Sequence, residues 1–166
     1  MAKTESFDVT TGCDLQEVDN AVNQARREIT NRYDFKNTLA EIGFDREAGT
    51  ISIHTSDEFH LDAIWQVLFG RLIAREVPVE NVKRGEVTAA SGATVRQVNT
   101  LVQSIDGDTA RAISKFVRDQ KLKRVQSQVQ NDAVRVSAPS RDDLQAVIRA
   151  LRSEDFGLHL TFTNYR

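Results

Sequence analysis

One recurring pattern restricts the fold of this chain more than any composition figure. Twice along the sequence an amphipathic helix is followed by two alternating segments around a turn, and then by a second amphipathic helix. In the first half, "DLQEVDNAVNQARREITN" carries Leu15, Val18, Val22, Ala25 and Ile29 at steps of three and four. That is the stripe of a helix burying one side. Asp14, with Glu17 three residues on, marks its start. "NTLAEIGF" and "GTISIHT", joined by "DREAG", read as a hairpin with a glycine-containing loop. Ser56 is expected to cap "DEFHLDAIWQVLFGRLIARE", whose apolar face is Leu61, Ile64, Trp65, Leu68, Leu72 and Ile73.

The last third repeats this order. Asp108 starts a helix through Ala110, Ile113, Phe116 and Val117. "KLKRVQSQVQ" and "AVRVSA" flank the turn residues "ND". Ser140, with Asp143, caps a helix whose stripe is Leu144, Val147, Ile148 and Leu151. "LHLTFTNY" closes with alternation, and "SFDVT" near the start alternates likewise. The middle is less regular. "VPVENVKRGEVTAASGATV", with Pro78, Gly85 and Gly92, has room for one short strand near Val82 to Val87. The spacing in "VRQVNTLVQSI" suits helix or strand, and its β-branched content favours a strand. Each helix–hairpin–helix unit with added strands makes a four-stranded antiparallel sheet with two helices on one face. The expected class is α+β, a ferredoxin-like plan used twice.

"SFDV", "DLQE", "RYDFKN", "KLK", "VQNDAVRVS", "SRDDLQAVI" and the terminal "FTNYR", in this order and spacing, resemble the YajQ family of small bacterial proteins over essentially the full length. The resemblance implies two ferredoxin-like domains with exchanged first strands: residues 12–104, including the strand near 95–103, and residues 1–11 plus 105–166. It also implies a nucleotide-binding protein; no catalytic constellation appears among the residues, so a non-enzymatic role is expected and an enzyme ranks third. Some members are described as receptors for cyclic di-GMP acting through a transcription regulator, and others have been linked to purine nucleotides or RNA. An RNA-binding (tRNA-binding) protein is therefore the alternative.

Charge limits the alternatives. With 22 Lys+Arg against 24 Asp+Glu the formal net charge is −2, so no general attraction to nucleic acid or anionic membranes is expected. A polyanion site must be a local patch. The single Cys13 excludes an intramolecular disulfide. "MAKTESFDVTTG" lacks the apolar run of a signal peptide, and no segment approaches the ~18 apolar residues of a membrane span. A cytoplasmic protein is expected. No P-loop pattern is present, and His54, His60 and His159 stand apart from other ligand-type residues, so neither a phosphoryl-transfer site, a metal nor a cofactor is implied. Cys13, at a strand-to-helix junction, reads as structural, although a helix N-terminus could lower its pKa.

Candidate nucleotide contacts fall in two places. The outer sheet face of the C-terminal unit would collect Arg124, Gln126, Gln128, Gln130, Arg135 and Ser137, joined by His159, Thr161, Thr163 and Tyr165, with Ser6 and Asp8 from the first strand. Guanidiniums and amides there could clamp phosphate and hydrogen-bond base edges, or the face could simply be wet. The paired exposed aromatics of RNA-recognition sheets are missing. In "RYDFKN", one reading starts a strand, with Tyr33 and Phe35 on one side and the charges on the other. The other reading puts Arg32 and Lys36 at a phosphate, with Tyr33 stacked on a base. The run Lys115, Arg118, Lys121, Lys123 and Arg124 fits favourable cations at a helix C-terminus better than an anion site.

Overall fold

The computed structural model describes residues 4–166. In chain order the elements are β1 (Glu5–Thr10), α1 (Leu15–Thr30), a 3-10 turn (Tyr33–Phe35), β2 (Ala40–Asp45), β3 (Thr50–Thr55) and α2 (Glu58–Ala74). A second 3-10 turn (Val79–Asn81) leads to β4 (Val82–Lys83), β5 (Thr88–Ala90), β6 (Thr94–Leu101), α3 (Gly107–Asp119), β7 (Gln126–Val129), β8 (Val134–Ala138), α4 (Arg141–Arg152) and β9 (Thr161–Thr163). Two compact units result. One is Cys13–Val102; the other joins the segment ending at Gly12 to Gln103–Arg166.

The unit Cys13–Val102 has strands in the order β2-β3-β6-β4, with β5 also paired to β6. All pairings are antiparallel. The α1 stripe is buried through Val18, Ala21, Val22, Ala25 and Ile29. With the α2 face and with Ile42, Ile51 and Ile53 of the sheet it forms one core. Withdrawing each large apolar side chain from water contributes about 1.5–3 kcal/mol. Gly49, at φ 69°, closes the β2–β3 turn, where its N–H reaches the Asp45 carbonyl at 2.9 Å. In the other unit the order is β7-β8-β1-β9, again antiparallel throughout. Phe7 and Val9 of β1 are fully buried with Ile113, Val134, Val136, Val147 and Leu151. Two antiparallel sheets with helices against one face make an α+β fold of two ferredoxin-like domains.

Several local expectations are corrected. The α2 cap is Asp57, not Ser56: its carboxylate accepts from the His60 N–H at 2.8 Å. The α3 cap is Asp106 rather than Asp108, accepting from the Thr109 N–H at 2.6 Å. On α2, Ile73 is 52% exposed and Val67 is buried, because Ile73 lies about 100° round the helix from Leu72, off the face that Leu61, Trp65, Leu68 and Leu72 bury, while Val67 borders the other side of that face. The single strand expected near 82–87 is two short ones, β4 and β5, separated by residues 84–87. The strand expected at 95–103 is β6, and its faces are not those its valines suggest. Gln97 and Asn99 sit opposite Ile53 and Ile51 on the helix side, while Val98 is 46% exposed. The gap between β4 and β5 explains this. The Gln97 amide donates to the Gly85 carbonyl at 2.9 Å, and the Asn99 side-chain carbonyl accepts from the Gly85 N–H at 3.4 Å. These side chains satisfy backbone groups that the interrupted edge leaves without a ladder partner.

Candidate functional site

On the outer face of the C-terminal sheet, cross-strand pairing sets up two polar rows. Gln128, Arg135, Asp8 and Thr163 lie in register across β7, β8, β1 and β9. Gln126, Ser137 and Ser6 form the next row. Thr161 lies further along β9, opposite Thr10, and their hydroxyls are 2.7 Å apart.

At the centre is a buried carboxylate. Asp8 accepts from Arg135 Nε at 3.0 Å and from Asn164 Nδ2 at 2.9 Å. Arg135 holds its carboxyl below the usual range; burial opposes this, while Asn164 and the charge of Arg166 reinforce it. The same pairing raises Arg135. Arg135 is therefore already engaged with an anion, although its side chain stays 37% exposed. Arg124 is not on the strand. It lies exposed in the preceding turn at φ 63°, so it does not continue the Gln126–Gln128 row. Val129, whose phase is opposite to that of Gln126 and Gln128, is nonetheless 44% exposed at the end of β7. Ser127 is the residue that reaches α3, through the Ser114 hydroxyl at 2.6 Å.

The C-terminal strand contains a change of phase. Thr163 pairs with Asp8, yet Arg166 exchanges both backbone hydrogen bonds with Ser6, each 3.0 Å. Two residues therefore stand opposite Phe7, a bulge, with Asn164 left-handed at φ 56°. The consequence is that Tyr165 does not join Thr161 and Thr163 on the outer face. Its ring lies 6.1 Å from that of Phe7, on the helix side. There it lines a cavity of about 370 Å³ with Glu5, Ser6, Arg141, Leu144, Gln145 and Arg166. His159 precedes β9 instead of lying on it.

"RYDFKN" is a 3-10 turn, not the start of a strand. The N–H groups of Phe35 and Lys36 bond to the carbonyls of Arg32 and Tyr33, and Arg32 forks onto Asp34 at 2.9 and 2.7 Å. A threefold turn separates side chains that a strand would have put together. Phe35 is buried against His60, with ring centroids 5.5 Å apart, whereas Tyr33 is 89% exposed. Lys36 is exposed. Arg32 also borders a cleft of about 480 Å³ with Gln24, Arg27, Glu28, Asn31 and Arg71. Two cations there have partners, Arg32 on Asp34 and Arg71 on Glu28 at 3.2 Å, and no aromatic among the described residues lines it.

Burial, with the charge of Glu80 behind it, pushes the Cys13 thiol up to about 11. This overturns a lowered pKa at that junction and makes the group a poor nucleophile at neutral pH. Among the described residues, no group of three or more His, Cys, Asp or Glu is placed to hold a metal ion. No helix among them is long and apolar enough to cross a membrane.

Comparison with known proteins supplies the frame for these surfaces. The family model described as nucleotide-binding protein YajQ-like matches residues 5–166. The chain belongs to the YajQ family. A nucleotide-binding protein of Bacillus cereus (strain G9842) is 49% identical over 166 residues, covering all of both chains. Another of Bacillus cereus (strain AH187) and one of Bacillus anthracis (strain A0248) are each 48% identical over the same full span. The stretch that matches the YajQ family includes all eight candidate residues: Arg32, Tyr33, Lys36, Arg124, Gln126, Arg135, Thr161 and Tyr165. The cavity residues Arg141, Gln145 and Arg166 escaped the sequence reading. The one legible signal was the i, i+4 spacing of Arg141 and Gln145 beside Leu144, which sets them on one helix face.

Proposed function

We propose that this chain is a non-enzymatic nucleotide-binding protein, a receptor for a purine nucleotide such as cyclic di-GMP that signals through a protein partner such as a transcription regulator. The observation that carries this reading is the full-length similarity to relatives named for nucleotide binding. The C-terminal unit is the better home for the ligand. Its surfaces combine guanidiniums, amides, hydroxyls and Tyr165, the donors and stacking ring that phosphate and base require. The Arg32 turn is weaker, because Arg32 is held bidentately by Asp34. A ligand switches a partner contact only by binding one arrangement of the protein better than another.

Calorimetric titration of the whole chain with cyclic di-GMP, GTP and ATP tests the reading. Saturable one-site binding is expected, unchanged by Arg32→Ala plus Lys36→Ala. The absence of heat with every nucleotide would sink it. RNA binding, tRNA included, is the second reading, favoured by the exposure of Tyr33 beside Arg32 and Lys36. It predicts affinity that falls steeply with salt and rises with RNA length.

A further inference from the structure

We infer that the cavity beside Tyr165 is a pocket for one nucleotide, with the base against the Tyr165 ring and the phosphate between Arg141 and Arg166. This rests on the nucleotide-binding reading and assigns its seat. The cavity, about 370 Å³, lies at the small end of the range for ligand sites, which begins near ~300 Å³. That size suits a single nucleotide. Its floor is the buried Leu144, and the ring of Tyr165 supplies an aromatic wall that is 58% exposed. An aromatic ring left at the surface over an apolar floor provides a stacking platform at low conformational cost, and such stacking is tolerant of base identity. Gln145 adds an amide for a base edge or a ribose hydroxyl.

The cations separate this cavity from the other surfaces. Arg135 on the outer face donates to the buried Asp8 at 3.0 Å, so a phosphate there would sit beside a fixed carboxylate. Arg32 and Arg71 at the helix cleft are likewise held by Asp34 and Glu28, and the exposed Arg27 there has no aromatic beside it among the described lining residues. Arg141 makes a loose contact at 3.7 Å to Glu5, a carboxylate that also lines the cavity, and is 81% exposed, so it is freer than Arg135 to turn from that carboxylate to a phosphate. Arg166 is fixed by its backbone pairing with Ser6 and keeps an exposed side chain, whose charge also reaches Asp8. The bulge at Asn164 makes the arrangement: a regular strand would turn Tyr165 to the outer face and leave the cavity without its ring.

The test is calorimetric titration of the full chain with GMP, guanosine and inorganic phosphate. GMP is expected to bind at least tenfold more tightly than either half. Tyr165→Ala should weaken GMP at least tenfold while Tyr165→Phe retains it. Arg141→Ala, at an exposed position that folding does not need, should collapse the preference for GMP over guanosine. Arg135→Gln should leave GMP affinity within twofold. GMP binding that survives both Tyr165→Ala and Arg141→Ala overturns the pocket; if Arg135→Gln then abolishes it, the nucleotide-binding reading stands and the site is the outer face. A wild-type chain that binds GMP, GTP, ATP and cyclic di-GMP not at all overturns both.

Discussion

β1 and β6 occupy equivalent positions in their sheets, each between a hairpin strand and an edge strand, yet they are dressed in opposite ways. β1 follows ordinary alternation: Phe7 and Val9 face the helices with no exposed surface, and the polar Asp8 faces out. β6 turns Gln97 and Asn99 inward and Val98 outward. A strand can thus be held by apolar burial or by side-chain amides that complete a neighbour's backbone. The second solution is local. It works because the edge strand beside β6 is broken at residues 84–87, and the Gly85 amide and carbonyl need partners. The fit is incomplete, since the Gln97 side-chain oxygen is buried without a partner among the described residues. Leaving such a group unsatisfied costs about 1–3 kcal/mol.

Four measurements break or sharpen this contrast. The largest effect is expected from Phe7→Ala, which empties the centre of the C-terminal core against Phe162 and Tyr165. Urea unfolding of the whole chain should register a loss of about 3–5 kcal/mol; a loss below ~1 kcal/mol would mean β1 is not held by burial. Gly85→Ala comes next. A Cβ there would collide with the Val98 carbonyl oxygen, a backbone atom that cannot simply swing aside. The overpacking should cost about 1–3 kcal/mol, and unchanged stability would remove the close approach on which the β6 arrangement depends.

Asp8→Asn tests the polar side of β1 through pH. The Asp8 carboxyl is lowered from 3.8 in the folded chain. Its contribution is therefore fully present above that value and is lost as pH falls through the folded value. The variant should be less stable at neutral pH and should show a shallower decline in acid, by thermal melts from pH 7 to 2. Parallel curves would show that Asp8 folds without a shifted pKa. The smallest effect is expected at Val98→Thr, on the open face of β6, where stability should stay within about 0.5 kcal/mol. A larger loss would reveal that Val98 is covered.

The residues that made the fold legible are those in which local pattern and burial agree. The α1 stripe, the Asp14 and Ser140 caps and both hairpins follow from spacing alone, because helix and strand periods differ and each buries one face. The candidate site was legible only in part. Gln126 and Arg135 fall on the outer face, as alternation requires. Arg124 and Tyr165 do not, because left-handed residues reset the phase: Arg124 itself in one case and Asn164 in the other. Asparagine tolerates that conformation better than most residues, so "FTNYR" carried a faint warning.

By itself, the amino-acid sequence determined the four helices, the two hairpins and the α+β class, since each depends on the chemistry of neighbours within a few residues. Only the tertiary structure decided that β1 pairs with β8 and β9, that Asp8 meets Arg135 and Asn164 across more than 120 positions, and that Tyr165 turns toward Arg141. Those contacts join segments from opposite ends of the chain. Strand register selects them, and no local periodicity encodes which distant strand will supply the missing hydrogen bonds.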